Sequence, residues 1–291
     1  MMLDQAQRLR ELYERFNSTE VEKTTKVVSI TSGKGGVGKS NFALNFALSL
    51  IDSGKKVVLI DLDIGMANLE ILMGMSPRYH LVDMVRDGKT IWDVMEKGPN
   101  GIELISGGSG FDEILELSHQ DANYLFNELG KLQGYADIIL FDTGAGLSKE
   151  SQRCHLSADE IILLTTPEPT AITDAYSVIK ILHHQEPNIN VRLVVNRVEN
   201  AKEGLAIAKR VRTVAKRFLE KDIEVLGFIP NDHLVFQSVL DQTPFYLNYP
   251  KSQAAKWMKD IVNLYLHGDT QSLNTSGIKG FIQKISHFVK R

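Results

Sequence analysis

The chain has 291 residues, a length that fits one large α/β domain or two small ones. Its 33 lysines and arginines against 36 aspartates and glutamates give a net charge of −3, which argues against a globally basic surface for nucleic acid. Hydrophobic residues make up 43% and charged residues 24%, which is ordinary for a globular protein and excludes a fully disordered, collagen-like or coiled-coil chain.

Cysteine content and hydropathy restrict the class further. The one cysteine, Cys154, cannot form an internal disulfide or build a cysteine-based metal cluster within one chain. No apolar run approaches the ~18–20 residues that a membrane-spanning helix needs, and the polar N-terminus lacks the apolar region of a signal peptide. We therefore expect a cytoplasmic protein.

The first 25 residues are predicted to form a short helix and a linker. Residues 1–17 carry apolar side chains at the helical spacing of three or four, namely Leu3, Ala6, Leu9, Leu12, Tyr13 and Phe16. Residues 18–25 show no period, which is typical of a linker.

Residues 26–267 alternate short apolar strands with longer helical stretches. The predicted strands are Val27–Thr31, Val57–Asp61, Ile102–Ser106, Asp137–Asp142, Glu160–Thr165, Val191–Asn196 and Glu224–Ile229. Several are apolar throughout, as expected of parallel strands that are buried on both faces. The alternation predicts one α/β domain with a doubly wound, mostly parallel sheet flanked by helices.

A glycine-rich segment joins the first predicted strand to a helical stretch. It reads Gly33-Lys34-Gly35-Gly36-Val37-Gly38-Lys39-Ser40 and continues with Asn41, and its Gly-x4-Gly-Lys-Ser spacing fits the P-loop pattern. Glycines let backbone N–H groups surround phosphate oxygens, and the helix start adds partial positive charge. The pattern predicts an ATP or ADP site in which Lys39 holds the β- and γ-phosphates and the Ser40 hydroxyl binds Mg²⁺.

The loop carries a second lysine directly after its first glycine. The segment from Lys34 to Ser40 resembles the deviant Walker A motif. The resemblance implies an ATPase that dimerises face to face with ATP between the subunits. It also implies that Lys34 reaches the partner's phosphates and neutralises charge in the transition state, as an arginine finger does.

Aspartates follow two of the predicted strands, where ligands bind in doubly wound sheets. Asp61 and Asp63 close the second strand and would point the same way, because side chains alternate along a strand. Asp142 ends an apolar strand in the Walker B pattern, which holds Mg²⁺ through water. The run from Asp61 to Leu69 resembles the first switch of the MinD branch. That resemblance implies that Asp63 orients or deprotonates the attacking water and that Asp61 holds the Mg²⁺ shell.

Two polar strand ends are predicted to contact the base. Asn196 and Arg197 follow an apolar strand, and an asparagine amide both donates and accepts, which suits an adenine edge. The MinD family has an Asn-Arg pair at this place. The turn Pro230-Asn231-Asp232 resembles the second adenine-side loop of that family. The alternative is an ordinary strand-end turn, which would have the same residue types.

Further segments have weaker signals. Residues 143–147 resemble the second switch, whose glycines let the backbone move when the γ-phosphate leaves. Residues 167–174 resemble a family loop before a helix that receives regulators, with a solvated helix start as the alternative. The basic residues Lys209, Arg210, Arg212, Lys216 and Arg217 fit the solvated face of an amphipathic helix, with a partner or DNA patch as the alternative. His183, His184 and Cys154 are interpreted as structural.

Residues 268–291 are predicted to form a tether and a membrane-binding helix. Residues 268–277 are rich in Gly, Ser, Thr and Asn, as flexible tethers are. The helical stripe that follows contains Ile278, Phe281, Ile282, Ile285, Phe288 and Val289, and the rest of the segment is basic without an acid. Such a helix is typical of reversible binding to an anionic membrane, here the inner face of the cell membrane, and a dimer would bind through two copies. The alternative is a last helix docked on the domain.

The N-terminal segment of residues 1–25, which we call the leader, distinguishes the branches of the family. The segment Asp4-Gln5-Ala6-Gln7-Arg8-Leu9-Arg10 resembles the Asp-Gln-Ala-x-x-Leu-Arg signature of the FlhG (YlxH, FleN) family, MinD-like regulators of flagellar number. The resemblance implies that the leader stimulates FlhF, a GTPase of the signal-recognition-particle type, with Gln5 at the GTPase site and Arg10 anchoring the helix. It also implies FliM- and FliN/FliY-type proteins of the flagellar C-ring as partners. A frayed polar N-terminus is the alternative.

Three other functions would use the same scaffold. A division-site MinD would cycle on the membrane in the same way without stimulating a GTPase. A ParA-like partition ATPase would bind DNA in an ATP- and salt-dependent way and would not need the C-terminal stripe. A metabolic enzyme would need a substrate pocket, or two cluster cysteines in the case of the nitrogenase iron protein. We expect the flagellar ATPase, with no specific nucleic acid as partner.

Overall fold

The computed structural model describes residues 24–63, 68–107, 119–268 and 276–289. The predicted GTPase-activating residues lie outside these ranges, namely Asp4, Gln5, Ala6, Leu9 and Arg10. Part of the predicted first switch, residues 64–67, lies outside them as well.

Strands and helices alternate along the described chain. The strands are β1 (Lys26–Ser32), β2 (Val57–Leu62), β3 (Met95–Lys97), β4 (Glu103–Ser106), β5 (Ile138–Thr143), β6 (Glu160–Thr165), β7 (Val191–Val198) and β8 (Glu224–Pro230). The helices are α1 (Lys39–Asp52), α2 (Asn68–Met73), α3 (Leu81–Asp87), α4 (Ile91–Val94), α5 (His119–Gly130), α6 (Lys149–Ser157), α7 (Pro169–Gln185), α8 (Ala201–Leu219), α9 (His233–Leu240), α10 (Phe245–Asn248), α11 (Gln253–His267) and α12 (Gly277–Val289).

The strands form one sheet in the order β3-β4-β2-β5-β1-β6-β7-β8. Every pair is parallel except β3 and β4, which are antiparallel at one edge. The predicted doubly wound, mostly parallel fold is therefore confirmed. The sequence did not predict β3, because a three-residue segment with two charged side chains has no apolar alternation to detect.

Helices cover both faces of the sheet and bury apolar side chains against it. One face packs against α1 and α11 through residues such as Phe46 and Met258. The other face is covered by α5, α6 and α12, with α7 and α8 beside them. The parallel strands end at a common edge, and their register places Asp61 of β2 directly beside Asp142 of β5. The fold thus positions a site at the carboxyl ends of the central strands.

The core contains a histidine whose protonation should make stability depend on pH. His155 of α6 is completely buried, with Nδ1 2.8 Å from the Ser29 Oγ. Burial, and then the charge of Lys39, lowers the pKa of His155 from 6.5 to about 3. Between these values the unfolded chain binds a proton that the folded chain does not. Stability that is present above pH 6.5 is therefore lost as the pH falls toward 3.

We expect His155 alone to lower the free energy of unfolding by about 2 kcal/mol between pH 6.5 and pH 5, at about 1.4 kcal/mol per pH unit. Urea unfolding at the two pH values measures this effect. The matched variant is His155→Gln, which keeps a polar side chain but has no titrating group. An equal loss of stability in both proteins would contradict the prediction.

Candidate nucleotide-binding site

The glycine-rich loop connects β1 to α1 and forms the first wall of the site. Gly38 immediately precedes α1 and has a φ of 91°, in the left-handed region that favours glycine. Gly33 lies so close to α7 that an ideal Cβ would be 2.5 Å from the Cβ of Asp174. The loop brings its backbone N–H groups and the N-terminus of α1 to one place, an arrangement that binds phosphate.

Lys39, the first residue of α1, is buried among carboxylates. Its Nζ lies 2.7 Å from the Asp142 Oδ1 and 3.7 Å from the Asp63 Oδ2. Asp61, the register partner of Asp142, is buried on the neighbouring strand. The structure therefore brings Lys39 together with all three aspartates that the sequence singled out.

The carboxylates at this point carry more negative charge than one lysine balances. Burial, and then the charge of Asp142, raises the pKa of Asp61 to about 8. Burial also raises the pKa of Asp63, and the charge of Lys39 opposes that rise. A cation bound at this place would relieve both effects.

The donor set fits Mg²⁺. Asp61 Oδ2 and Asp142 Oδ2 are buried and have no hydrogen-bond partner among the described residues. Such orphaned acceptors are costly, and carboxylate and hydroxyl oxygens are the ligands that Mg²⁺ prefers. Asp61, Asp142 and Ser40 would hold the ion, which when bound offsets the charge of the nucleotide phosphates.

Lys34 is placed differently from Lys39. It is partly exposed, and its Nζ pairs with the carboxylate of Glu168 and lies 3.3 Å from the Thr170 Oγ1. Glu168 immediately precedes α7, and the hydrogen bond from Lys34 lowers the pKa of its carboxyl group. The ammonium group of Lys34 thus contacts the segment that the sequence marked as the loop before a regulator-binding helix.

The segment predicted as the second switch lies against the P-loop strand. Thr143 Oγ1 donates a hydrogen bond of 2.9 Å to the Ile30 carbonyl, and the Gly146 N–H donates one of 3.0 Å to the Ser32 carbonyl. An ideal Cβ on Gly144 would be 3.3 Å from the Asp63 Oδ1. A movement of the Asp63 side chain would therefore directly affect the packing of this segment.

A cavity of about 420 Å³ extends from the end of the P-loop, a volume within the usual range of small-molecule sites. Its lining includes all the residues predicted on the base side, namely Asn196, Arg197, Pro230, Asn231 and Asp232, as well as Gly38 and Asn41. Each predicted asparagine already has a protein partner. Asn196 Nδ2 donates to the Val37 carbonyl at 2.8 Å, and Asn231 Nδ2 donates to the Glu199 Oε1 at 3.1 Å.

The sequence did not predict the apolar wall of this cavity. That wall is formed by Phe42, Ile229, Val235, Phe236, Val239, Phe245 and Met258. Most of them lie in helical stretches with the spacing of ordinary core residues, so their pattern carries no sign of a ligand. Two of them are anomalous, since Phe236 of α9 is 67% exposed and Val239 is 37% exposed although both are large apolar side chains.

The C-terminal helix differs from its prediction in one respect. We expected α12 to stand free on a tether, but its apolar stripe packs between α5 and α6, with Ile278, Phe281 and Ile285 buried. The Phe281 ring stacks on Phe141 with centroids 4.7 Å apart. The docked alternative describes this arrangement, because the domain offers an apolar groove that periodicity alone cannot reveal.

A polar contact fixes the start of α12. Asp159 Oδ1 accepts hydrogen bonds from the Ser276 N–H at 2.7 Å, the Ser276 hydroxyl at 2.9 Å and the Gly277 N–H at 3.2 Å. Ile282 is partly buried, whereas the side chains of Phe288 and Val289 lie outside the description. The membrane role of the stripe stays a prediction, and it requires α12 to leave its groove.

The remaining predicted residues lie away from the cavity. The basic residues of α8, Lys209, Arg210, Arg212, Lys216 and Arg217, are exposed along one side of the helix. Cys154 is buried and forms no disulfide, and its Sγ lies 4.0 Å from the Ser29 Oγ. Within the described ranges, no three His, Cys, Asp or Glu side chains form a metal site by themselves, so the Mg²⁺ set above depends on the Ser40 hydroxyl as well. None of the helices in these ranges has the length and apolar character that a membrane span needs.

The fold and the loop together define a class of protein, the P-loop ATPases with a deviant Walker A motif. The signature of the CobQ/CobB/MinD/ParA nucleotide binding domain matches residues 28–245. The antiactivator FleN of Pseudomonas aeruginosa is 33% identical over 81% of this chain and 84% of its own length. The flagellum site-determining protein YlxH of Helicobacter pylori is 31% identical over 91% of each chain.

Solved structures agree with this assignment. MinD in the MinC:MinD cell division complex of Aquifex aeolicus matches with a TM-score of 0.67 and 28% identity, over 83% of this chain and 96% of that one. MinD of Pyrococcus horikoshii, solved with Mg-ADP, has a TM-score of 0.66 at 24% identity, over 83% of this chain and 96% of that one, and shows the shared fold. The chain belongs to the MinD/ParA family, and within it to the FlhG-type (FleN/YlxH) ATPases that control flagellar number.

Proposed function

We propose that this ATPase is a membrane-cycling switch that controls flagellar number through FlhF and the C-ring. ATP and Mg²⁺ bring two copies together, the dimer displays its membrane helices and partner surfaces, and slow hydrolysis returns the monomer. The observation that carries the proposal is the different placement of the two loop lysines. Lys39 is buried among the aspartates, whereas Lys34 stands at the exposed edge of the loop.

The position of Lys34 supports a role across a dimer. Its ammonium group pairs with Glu168 rather than with the aspartates around Lys39. Neutralising the charge that develops on the phosphates takes a second cation close to them, and Lys34 of a facing copy supplies one. Forming the dimer then exchanges the Lys34–Glu168 pair for a contact with the partner's nucleotide.

Asp63 supports slow hydrolysis in that dimer. It is the least buried of the three aspartates, and its raised pKa suits a group that accepts a proton from water. Its neighbour Gly144 belongs to the predicted second switch. Loss of the γ-phosphate can therefore move that segment and open the dimer.

The proposed membrane binding requires that α12 leave its groove on the domain. Lys279 and Lys284 lie on the exposed side of the docked helix, and the apolar residues face the domain. Each basic residue near an anionic surface contributes about 1 kcal/mol, so a single helix binds weakly and two helices on a dimer bind far better. Membrane residence at the inner face of the cell membrane then follows the nucleotide state.

The flagellar partners rest on the relatives and on the leader. FleN is named an antiactivator and YlxH a flagellum site-determining protein. The leader signature from Asp4 to Arg10 points to the GTPase FlhF, and the same family resemblance points to FliM- and FliN/FliY-type C-ring proteins. Together they support a chain that restrains FlhF and delivers C-ring proteins to the membrane.

The decisive experiment measures GTP turnover by an FlhF-type GTPase, alone and with a peptide of residues 1–20. We expect a clear rise that Gln5→Ala abolishes, because Gln5 is the residue that would enter the GTPase site. The matched control is Gln7→Ala, the same change two positions further along. If a GTPase able to dimerise on GTP is not stimulated by the peptide, the FlhF role is contradicted and a MinD-type cycle without GTPase stimulation is favoured.

A further inference from the structure

Asn196 connects the end of β7 to the phosphate loop. Its side chain is 9% exposed, and its Nδ2 donates a hydrogen bond of 2.8 Å to the carbonyl of Val37. Its Oδ1 accepts a hydrogen bond of 2.9 Å from the N–H of Arg197. Both polar atoms of the amide are therefore hydrogen-bonded within the protein, and the Nδ2 group is bonded to the loop.

The contact fixes one peptide group of the loop. A trans peptide is planar, so its carbonyl and N–H point in opposite directions. Holding the Val37 carbonyl toward Asn196 therefore directs the Gly38 N–H away from Asn196. Gly38 is the residue before α1, so its N–H is one of the donors at the start of this helix. The orientation of a phosphate-binding donor thus depends on a side chain from a distant strand.

The residues around Asn196 and Val37 favour this contact. An ideal Cβ on Gly38 would lie 2.5 Å from the Asn196 Nδ2, so any other residue at this position would displace the amide. Arg197 has a φ of 59°, uncommon for a non-glycine residue, so the chain turns sharply directly after Asn196. The preceding residues Val194 and Val195 are completely buried, so Asn196 extends from a strand that is held by the core.

We propose that Asn196 is a positioning residue for the phosphate loop, and that nucleotide affinity depends on it through the phosphates as well as through the base. A residue that only reads the adenine edge cannot influence a ligand without a base. A residue that holds the loop influences every ligand with phosphates. The proposal uses only the ATPase site and is independent of the dimer, membrane and FlhF steps.

The test is titration calorimetry of the full chain with Mg-ATP and with Mg-tripolyphosphate, which has no base and no ribose. We expect Asn196→Ala to weaken both ligands about tenfold, the usual effect of removing one partner of a buried hydrogen bond. The matched control is Asn231→Ala, an asparagine of the same cavity whose amide bonds Glu199 instead of the loop. It should weaken Mg-ATP and leave Mg-tripolyphosphate unchanged.

Two results would overturn the proposal. One is an Asn196→Ala protein that loses affinity for Mg-ATP and keeps that for Mg-tripolyphosphate, since Asn196 would then act on the base alone. The other is a protein with unchanged affinity for both ligands. Circular dichroism and thermal unfolding establish that the variant is folded.

A second variant keeps the proposal testable if the alanine protein does not fold. Asn196→Asp preserves the size of the side chain but replaces the N–H donor with an acceptor that faces the Val37 carbonyl. We expect faster hydrogen exchange at Phe42, whose N–H donates to the Gly38 carbonyl at 2.9 Å, with unchanged exchange at Val194 in β7. Equal exchange at Phe42 in the variant and the parent would refute a positioning role.

Discussion

Replacing Lys34 by alanine is expected to lower the rate of ATP hydrolysis about 10³-fold, the lower end of the effect of a charge-neutralising finger. ATP binding to the monomer should change little, because Lys39 and the loop backbone are untouched. Steady-state phosphate release measures the rate, and titration with Mg-ATP measures the binding. The control is Lys202→Ala, which removes an exposed lysine on α8.

A mixing experiment separates action across the dimer from action within one chain. Asp63→Ala should bind ATP, dimerise and donate its Lys34, but it should not hydrolyse its own nucleotide. Mixed with Lys34→Ala, it completes one site per mixed dimer, so the mixture should recover activity that neither variant has alone. A mixture that stays inactive would show that Lys34 serves its own site.

Reversing the charge of Lys284 is expected to abolish binding to anionic vesicles in the presence of ATP. The change removes one attraction and adds one repulsion, about 2 kcal/mol per helix and about 4 kcal/mol per dimer, or a loss of about 10³-fold in affinity. Lys284 is exposed on the docked helix, so Lys284→Glu should not disturb the groove beneath Phe281. Flotation with phosphatidylglycerol-rich vesicles measures the binding.

The matched control for this prediction is Lys256→Glu, the same charge change on the exposed side of α11, across the sheet from α12. It should bind vesicles like the parent protein. Equal losses in the two variants would indicate attraction to net charge alone. Unchanged binding of Lys284→Glu would remove α12 as the membrane contact.

Much of the fold could be predicted because the signals are local. The strand–helix alternation and the apolar runs gave seven strands and their parallel arrangement, and the acids at strand ends indicated where they would meet. Even Arg192, the second residue of β7, did not mask the strand. Its partners could not be predicted. Glu160 on β6 and Glu224 on β8 lie 2.8 and 2.9 Å from its Nε, and they became its neighbours only through the strand order.

The candidate site shows the same difference between residues with a local sequence signal and contacts that only the fold creates. The sequence could indicate Lys39, Asp61 and Asp142, because each residue type has a known task at its position in the motif. It could not indicate that the Asn196 amide is engaged by the loop, since that contact joins residues 159 positions apart. A helical stripe, likewise, shows that one face of α12 needs cover without showing whether lipid or protein supplies it.

The start of α12 lies close to the point where the leader joins the domain. An ideal Cβ on Gly277, the first residue of α12, would be 3.2 Å from the Thr25 carbonyl, just where the leader joins the domain. Thr25 is held there by a hydrogen bond of 2.7 Å from its Oγ1 to the Ala136 carbonyl. Under the proposed function, a protein bound by the leader and a membrane bound by α12 would therefore both be attached to the same corner of the ATPase domain. The two partners would then be brought together by one attachment point rather than by two opposite faces of the domain.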